Sequence, residues 1–395
     1  MENKHPEFEE IRCFYDEDVP EKLWPLVDQP AIEKFVKALM PNLDMDQFRA
    51  QIKSMHTIRE FQSKVVAQFV LALAKKTTDS LELRGVENIQ PGRAATYITN
   101  HRDIVLDSAF LNTMLNQHGL TTAEIAIGDN LFAYDWIKDL VRLNKSFIVL
   151  RSVPVRQMLE VSKRLSSYIH YTINEKKNPI WIAQREGRSK DSSDETQASV
   201  VKMLAMGGSS RDIIQNIRQL NVQPVALSYE YDPCDYLKAQ EFQLKRDNPE
   251  WKKSKEDDVL SMATGLQGYK GRVVFTITPE INQTFDQYPW INDRNAQVNC
   301  VCQTIDRALH GNMYLFPINY IAYNLRFQTS KYADKYNKEE EQKVLAYLNA
   351  QLAKVQIPNR DEAFLWDCML TMYSNPVVNF EKLTEPQNGE VTPLT

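Results

Sequence analysis

The sequence predicts an α/β protein: a largely parallel sheet flanked by helices, with helical additions at both ends. Three observations carry that prediction. Short apolar runs recur between residues 81 and 285, and segments with apolar residues at helical spacing separate them. Several runs are apolar on both faces, as strands of a sheet covered on both sides must be. The residues fit for chemistry come directly after such runs, at the strand ends where open α/β sheets form a crevice for ligands.

Residues 1–80 carry no alternating pattern and read as a helical region, divided by Pro20, Pro25, Pro30 and Pro41. The clearest helix runs from about Ile58 to Lys76, with Phe61, Val65, Phe69, Val70 and Leu73 on one side. Its second half is apolar nearly all round, which favours a helix buried against the next domain. The alternative is an interfacial helix dipping into a bilayer, with Lys75 and Lys76 at the headgroups.

From residue 81 strands alternate with helices. Leu81–Arg84 with Gly85 reads as a strand and turn, and Ala94–Thr99 as the next strand. Ala123–Gly128 is followed by a helix near 130–142, and Phe147–Leu150 ends in the cation Arg151. Pro154 opens a long helix marked by Met158, Val161, Leu165, Tyr168 and Ile169. Ile180–Ala183, Pro224–Tyr229 and Arg272–Ile277 complete a domain of residues 81–285. Within it, the polar stretch between Tyr231 and Gly268 reads as a solvated surface excursion. Residues 286–383 are helical again, with candidates at 293–310, 338–356 and 360–374. The tail 384–395, rich in Pro, Glu, Thr and Gly, is expected to be disordered.

Composition narrows the function. A net charge of −5 argues against nucleic acid as a partner. Five cysteines, an odd number, form no metal-ligand or disulfide framework and suit a reducing cytoplasm. No metal site is expected. The first residues lack an apolar signal region, and no window reaches the roughly 20 apolar residues of a membrane span. Membrane contact is therefore expected to be peripheral.

The central motif is Thr99-Asn100-His101-Arg102-Asp103-Ile104-Val105-Leu106-Asp107. It puts a histidine after a strand and a carboxylate in the first turn of the next helix. Such a histidine takes a proton from a hydroxyl, while an aspartate on its other nitrogen fixes the tautomer. Asp107 is the favoured partner and Asp103 the rival; a surface histidine beside a helix cap is the bland alternative. A second motif, Arg185-Glu186-Gly187-Arg188-Ser189-Lys190-Asp191, follows the strand 180–183 and offers cations, a hydroxyl and a glycine that lets a ligand come close. Arg151 supplies a further guanidinium, and Val222–Ser228 a wall. An ordinary charged loop, with each arginine held by a carboxylate such as Glu186, is the competing reading.

Together these blocks resemble the glycerolipid O-acyltransferases, which include glycerol-3-phosphate and 1-acylglycerol-3-phosphate acyltransferases. Asn100-His101…Asp107, Gly128…Phe147-Ile148…Arg151, Glu186-Gly187-Arg188-Ser189 and Val222…Pro224-Val225 are similar to the family's four blocks, in order. Two departures point to a divergent, bacterial-type branch. His101 and Asp107 enclose five residues where the family has four, and the residue usual between glycine and arginine is missing at Gly187-Arg188. The resemblance implies that His101, oriented by Asp107, activates an acceptor hydroxyl toward a thioester of acyl-CoA or acyl-carrier protein. It implies that Arg151, Glu186, Gly187, Arg188, Ser189 and Lys190 form the site of a phosphate-bearing lipid acceptor, with 1-acylglycerol-3-phosphate foremost. No cofactor is implied. The expected location is cytoplasmic, at the inner face of the cell membrane. A lipid-binding protein with an inactive fold, or transfer to a non-glycerol lyso-lipid, are the alternatives. A serine hydrolase is disfavoured because no Gly-x-Ser-x-Gly elbow exists.

Overall fold

The computed structural model describes residues 5–132, 135–288 and 291–384. Among these, seven strands form one sheet: β1 (Ser80–Arg84), β2 (Thr96–Thr99), β3 (Glu124–Gly128), β4 (Ser146–Val149), β5 (Ile180–Ala183), β6 (Val222–Tyr229) and β7 (Arg272–Ile277). Their order across the sheet is β1-β7-β6-β2-β5-β3-β4. β6, β2, β5, β3 and β4 are mutually parallel, while β7 runs antiparallel to β6 and carries β1 parallel to itself. The sheet is thus largely parallel, with a reversed pair at one edge. The ends of β2, β3, β4 and β5, which lead into the sequence motifs, all lie on one side.

Both faces of the central strands are apolar because both are covered. Ile98, Ile180, Ile182 and Val222 face the helices Met158–Asn174, Ala198–Ala205, Ile213–Arg218 and Arg294–Asn312. Tyr97, Trp181, Val225 and Leu227 alternate with them and face the helices Ala67–Thr77 and Leu106–Gln117. Two satellite cores complete the molecule. One joins the N-terminal helices to the helix Asp135–Leu143. The other joins the helix Asp235–Asp247 to the C-terminal helices Pro317–Arg326, Lys338–Leu352 and Glu362–Thr384.

The helix expected over 58–76 is interrupted. Ile58–Phe61 and Ala67–Thr77 are α-helical, and Gln62–Val66 forms a π turn between them. The turn carries Gln62 inward, where its Nε2 donates to Asn144 Oδ1 at 3.1 Å and its Oε1 accepts from Thr122 Oγ1 at 2.8 Å. The same turn splits the apolar side chains between two cores. Phe61 and Val65 enter the N-terminal one, and Val70 and Ala74 pack on the sheet. One side of the helix Ala67–Thr77 is thus buried as expected, while Phe69, Leu71 and Leu73 stay half-exposed. No helix among the described residues is long and apolar enough to cross a membrane.

The stretch 231–268 differs from the solvated excursion expected. It folds into the helices Asp235–Asp247 and Lys255–Gln267, and the first buries Asp235, Lys238, Glu241 and Gln243. Those polar side chains are inside because they are paired there. Lys238 holds Asp232, and Gln243 Nε2 donates to Asn359 O at 2.8 Å. The last helix also runs past residue 374 to Thr384, through Pro376. Pro376 has no N–H for the carbonyl of Met372, and in the same turn Asn319 Nδ2 donates to Tyr373 O at 2.9 Å. The tail 385–395 lies outside the described residues.

Packing of the helix Ala67–Thr77 makes a stability prediction. Phe69, edge-on to Phe48 at 6.2 Å, and Leu73 are both half-buried against a core. The double variant Phe69→Ser/Leu73→Ser should lose about 3 kcal/mol in urea unfolding followed by circular dichroism. Unchanged stability with lost vesicle binding would return the helix to the membrane interface.

Candidate active site

β2 stops at Thr99, yet its pairing continues through a side chain. Asn100 Nδ2 donates to Leu227 O at 2.9 Å, and Asn100 Oδ1 accepts from Leu227 N at 2.8 Å. This amide extends the ladder to β6 and releases the main chain to turn. Asp103 then caps the next helix, its Oδ1 accepting from Val105 N at 2.9 Å and Leu106 N at 2.8 Å. The extra residue between histidine and carboxylate is absorbed in the turn at Ile104–Val105.

The cap turns Asp107 back toward the strand end. His101 Nδ1 lies 2.7 Å from Asp107 Oδ2, with the imidazole only 13 % exposed and the carboxylate sealed from solvent. Asp107 Oδ2 also accepts from Arg102 N at 2.7 Å and Asp103 N at 3.1 Å, and its Oδ1 accepts from Tyr229 OH at 3.0 Å. Burial, with Asp107 next, pushes the Tyr229 phenol well above its ordinary range, so it remains a donor. A carboxylate surrounded by donors is an acceptor only, which places the ring proton on Nδ1 and leaves Nε2 as the basic nitrogen. Trp181 backs the ring at 5.8 Å with planes 70° apart. Asp103, the rival partner, is spent on the helix cap. Burial, and then the nearby Asp107, raise its carboxyl above the usual range.

The loop after β5 is moored to this histidine. Gln184 N donates to Thr99 O at 2.8 Å, and Ser189 N donates to His101 O at 3.0 Å. Gly187 sits at φ +70°, a left-handed backbone with open space beside it. Ser192 and Asp194 are left-handed as well, at φ 57° and 49°. These strained residues are held from outside the loop. Arg102 forks onto Asp194 at 2.9 and 2.5 Å. Asn375 Nδ2 donates to Asp191 O at 2.7 Å, Asn379 Nδ2 to Ser192 O and Ser193 O at 3.1 Å each, and His310 Nε2 to Asp194 O at 2.9 Å. The C-terminal helices therefore brace the loop. Sequence reasoning missed Tyr229, Asp194, His310, Asn375 and Asn379. The one available signal was Asn375 and Asn379, one helical turn apart in an otherwise apolar segment.

The motif cations divide into three situations. Arg151 crosses over Gly128, where a Cβ would stand 3.1 Å from its Nε, and its Nη1 lies 3.4 Å from Glu186 Oε1. Lys190 pairs with Glu241. Arg188 runs inward toward Cys234, Asp103 and Asp232, and its Nη1 has no hydrogen-bond partner; nor does Arg185 Nε. Glu186, Gly187, Arg188 and Lys190 line one cavity of about 470 Å³, together with Arg185 and Phe242. Ser189 is fully buried beneath it, and His101 joins it through the Ser189 mooring rather than as a wall. Overhead, a Cβ at Gly265 would meet Asp103 Oδ2 at 2.0 Å, so the helix Lys255–Gln267 lies directly on the turn that Asp103 caps.

These roles separate the two aspartates. Asp107→Asn should lower turnover by about 10³-fold or more, because the amide disturbs the tautomer and removes the charge beside the ring. Asp103→Asn should stay within about tenfold, because asparagine caps a helix as well as aspartate does. Steady-state rates with matched thermal melts check the ranking, and its reversal would make Asp103 the partner.

Comparison with known proteins bears on this arrangement. Residues 80–228 match the family model described as acyltransferase. No curated protein matches the chain. Among solved structures, the crystal structure of the 1-acyl-sn-glycerophosphate (LPA) acyltransferase PlsC from Thermotoga maritima aligns with a TM-score of 0.36 and 10 % identity. That alignment covers 74 % of this chain and 96 % of the other.

Proposed function

Given that residues 80–228 match the family model described as acyltransferase, we propose that the chain transfers a fatty acyl group from a thioester to the hydroxyl of a phosphate-bearing glycerolipid acceptor, foremost 1-acylglycerol-3-phosphate. The observation that carries this reading is the 2.7 Å contact between His101 Nδ1 and the buried Asp107. With Nδ1 committed, Nε2 receives the acceptor's proton as the oxygen attacks the thioester carbonyl of acyl-CoA or acyl-carrier protein. The tetrahedral intermediate collapses, the C–S bond breaks, and the imidazolium returns its proton to the departing thiolate. Asp107 stabilises the imidazolium while it lasts. General-base assistance of this kind is worth ~10²–10⁴-fold.

The acceptor phosphate belongs in the cavity beside the moored loop. Buried guanidinium atoms without partners are costly, and Arg185 Nε and Arg188 Nη1 are two such atoms. A phosphate supplies the acceptor oxygens that both lack, in a geometry that suits guanidinium. The reaction uses no cofactor beyond the acyl donor. Because the acceptor resides in a bilayer, this reading includes peripheral contact with the inner face of the cell membrane.

A second reading has one observation in its favour. Arg188 faces Asp103 and Asp232, which suits a structural ion pair and an acceptor without phosphate, such as a non-glycerol lyso-lipid. Transfer from radiolabelled acyl-CoA to a panel of acceptors decides between them. His101→Ala should leave about 1 % of the wild-type rate or less with the fold intact; a variant retaining most of its rate removes the general base. Arg188→Ala should raise the KM for phosphorylated acceptors about tenfold or more while sparing the donor's KM. Unchanged acceptor kinetics with a lowered Tm would make Arg188 structural.

A further inference from the structure

We infer that the segment between β4 and the helix Met158–Asn174, residues 151–159, is a docking surface for an anionic phospholipid bilayer. The segment is unusually bare for its composition. Val155 is 90 % exposed, Leu159 70 % and Met158 41 %. Pro154 leads into the short 3₁₀ turn Val155–Gln157, which presents these apolar tips outward. Isolated exposed aliphatics are ordinary, whereas three within five residues form a patch.

Charge identifies the occupant. The chain as a whole is acidic, at −5. Residues 151–164 instead hold Arg151, Arg156, Lys163 and Arg164 against the single acid Glu160. Arg151 and Arg164 have carboxylate partners, Glu186 and Glu10. Neither Arg156 nor Lys163 has an ion-pair partner among the described residues. Lys163 stands four residues after Leu159 in one helix, so cation and apolar tip share a face. Apolar tips with unpaired cations around them are what interfacial binding to anionic lipid requires. The other exposed aliphatic pair, Val259 and Leu260, follows Lys252, Lys253, Lys255, Glu256, Asp257 and Asp258, where the charges balance and no excess of cations favours an anionic surface. A standard protein interface buries roughly 800 Å² per partner, more than three aliphatic tips provide.

Position gives the patch its use. β4 lies three strands from β2 in the sheet, about 14 Å away, and both end on the same side. Seating residues 151–159 in the headgroups turns the strand ends, with His101 among them, toward the bilayer. This use rests on the proposed function, in which the acceptor is a membrane lipid; the patch itself does not.

Flotation of the full chain with phosphatidylcholine vesicles, with and without about 30 mol % phosphatidylglycerol, tests the inference without requiring turnover. The wild type should float with the anionic vesicles and not with the neutral ones. Val155→Ser/Leu159→Ser should lower partitioning about tenfold or more, and Arg156→Gln about fivefold. Val259→Ser/Leu260→Ser should leave it unchanged, and every variant should keep its melting temperature because the altered side chains are exposed. A wild type that does not float, or that floats equally on neutral vesicles, overturns the inference. So does a Val155→Ser/Leu159→Ser variant that floats like wild type. If no acceptor is acylated but flotation follows this pattern, the proposed function fails and the docking surface stands.

Discussion

A carboxylate sealed from water at the end of a sheet is tenable only if donors replace the solvent it has lost. Asp107 has four: the His101 ring, two main-chain amides of the turn, and the Tyr229 phenol. These donors come from three different commitments of the chain. The amides require the turn that Asp103 caps, the phenol requires β6 in register beside β2, and the imidazole requires Asn100 to finish the strand ladder. Displacing any one leaves a buried charge short of a partner, so the His101–Asp107 geometry and the stability of this corner are a single property.

The same logic extends outward to the loop after β5. Left-handed Ser192 and Asp194 each cost something of the order of 1–3 kcal/mol and persist only where the surroundings over-determine them. Here the surroundings are remote in sequence: Arg102 on one side, and His310, Asn375 and Asn379 on the other. The C-terminal helices thereby act as a brace for the loop after β5. The helix Lys255–Gln267 completes the enclosure by resting Gly265 on the capping aspartate, where any larger side chain would push the turn aside.

What was legible in the sequence follows from what leaves a local pattern. Strands such as Ile180–Ala183 and Phe147–Val149 appear as apolar runs because burial on both faces forces their composition. His101 and Asp107 appear because strand end and helix start bracket them. Long-range polar contacts leave no periodic trace, so Tyr229, Asp194 and His310 could not be assigned from residue order. The stretch 231–268 was misread for a related reason. Its charges look solvated when counted, yet Lys238 and Glu241 are buried against specific partners that only the fold supplies. The π turn at Gln62–Val66 was likewise hidden, because one inward glutamine does not alter an apolar helical stripe.

The motif cations, alike in sequence, differ in what it takes to move them. Arg151 and Glu186 form a solvent-exposed contact at 3.4 Å, and such pairs contribute about 1 kcal/mol or less. On the proposed function, a dianionic phosphate displaces Glu186 from Arg151 at little cost. Arg188 is half-buried with its guanidinium facing Asp103 and Asp232, and reorienting it would remove that positive charge from both carboxylates. On the proposed function the phosphate must come to Arg188, while Arg151 turns to the phosphate. The inward-facing arginine then defines the position of the acceptor, and the exposed one adjusts to its headgroup.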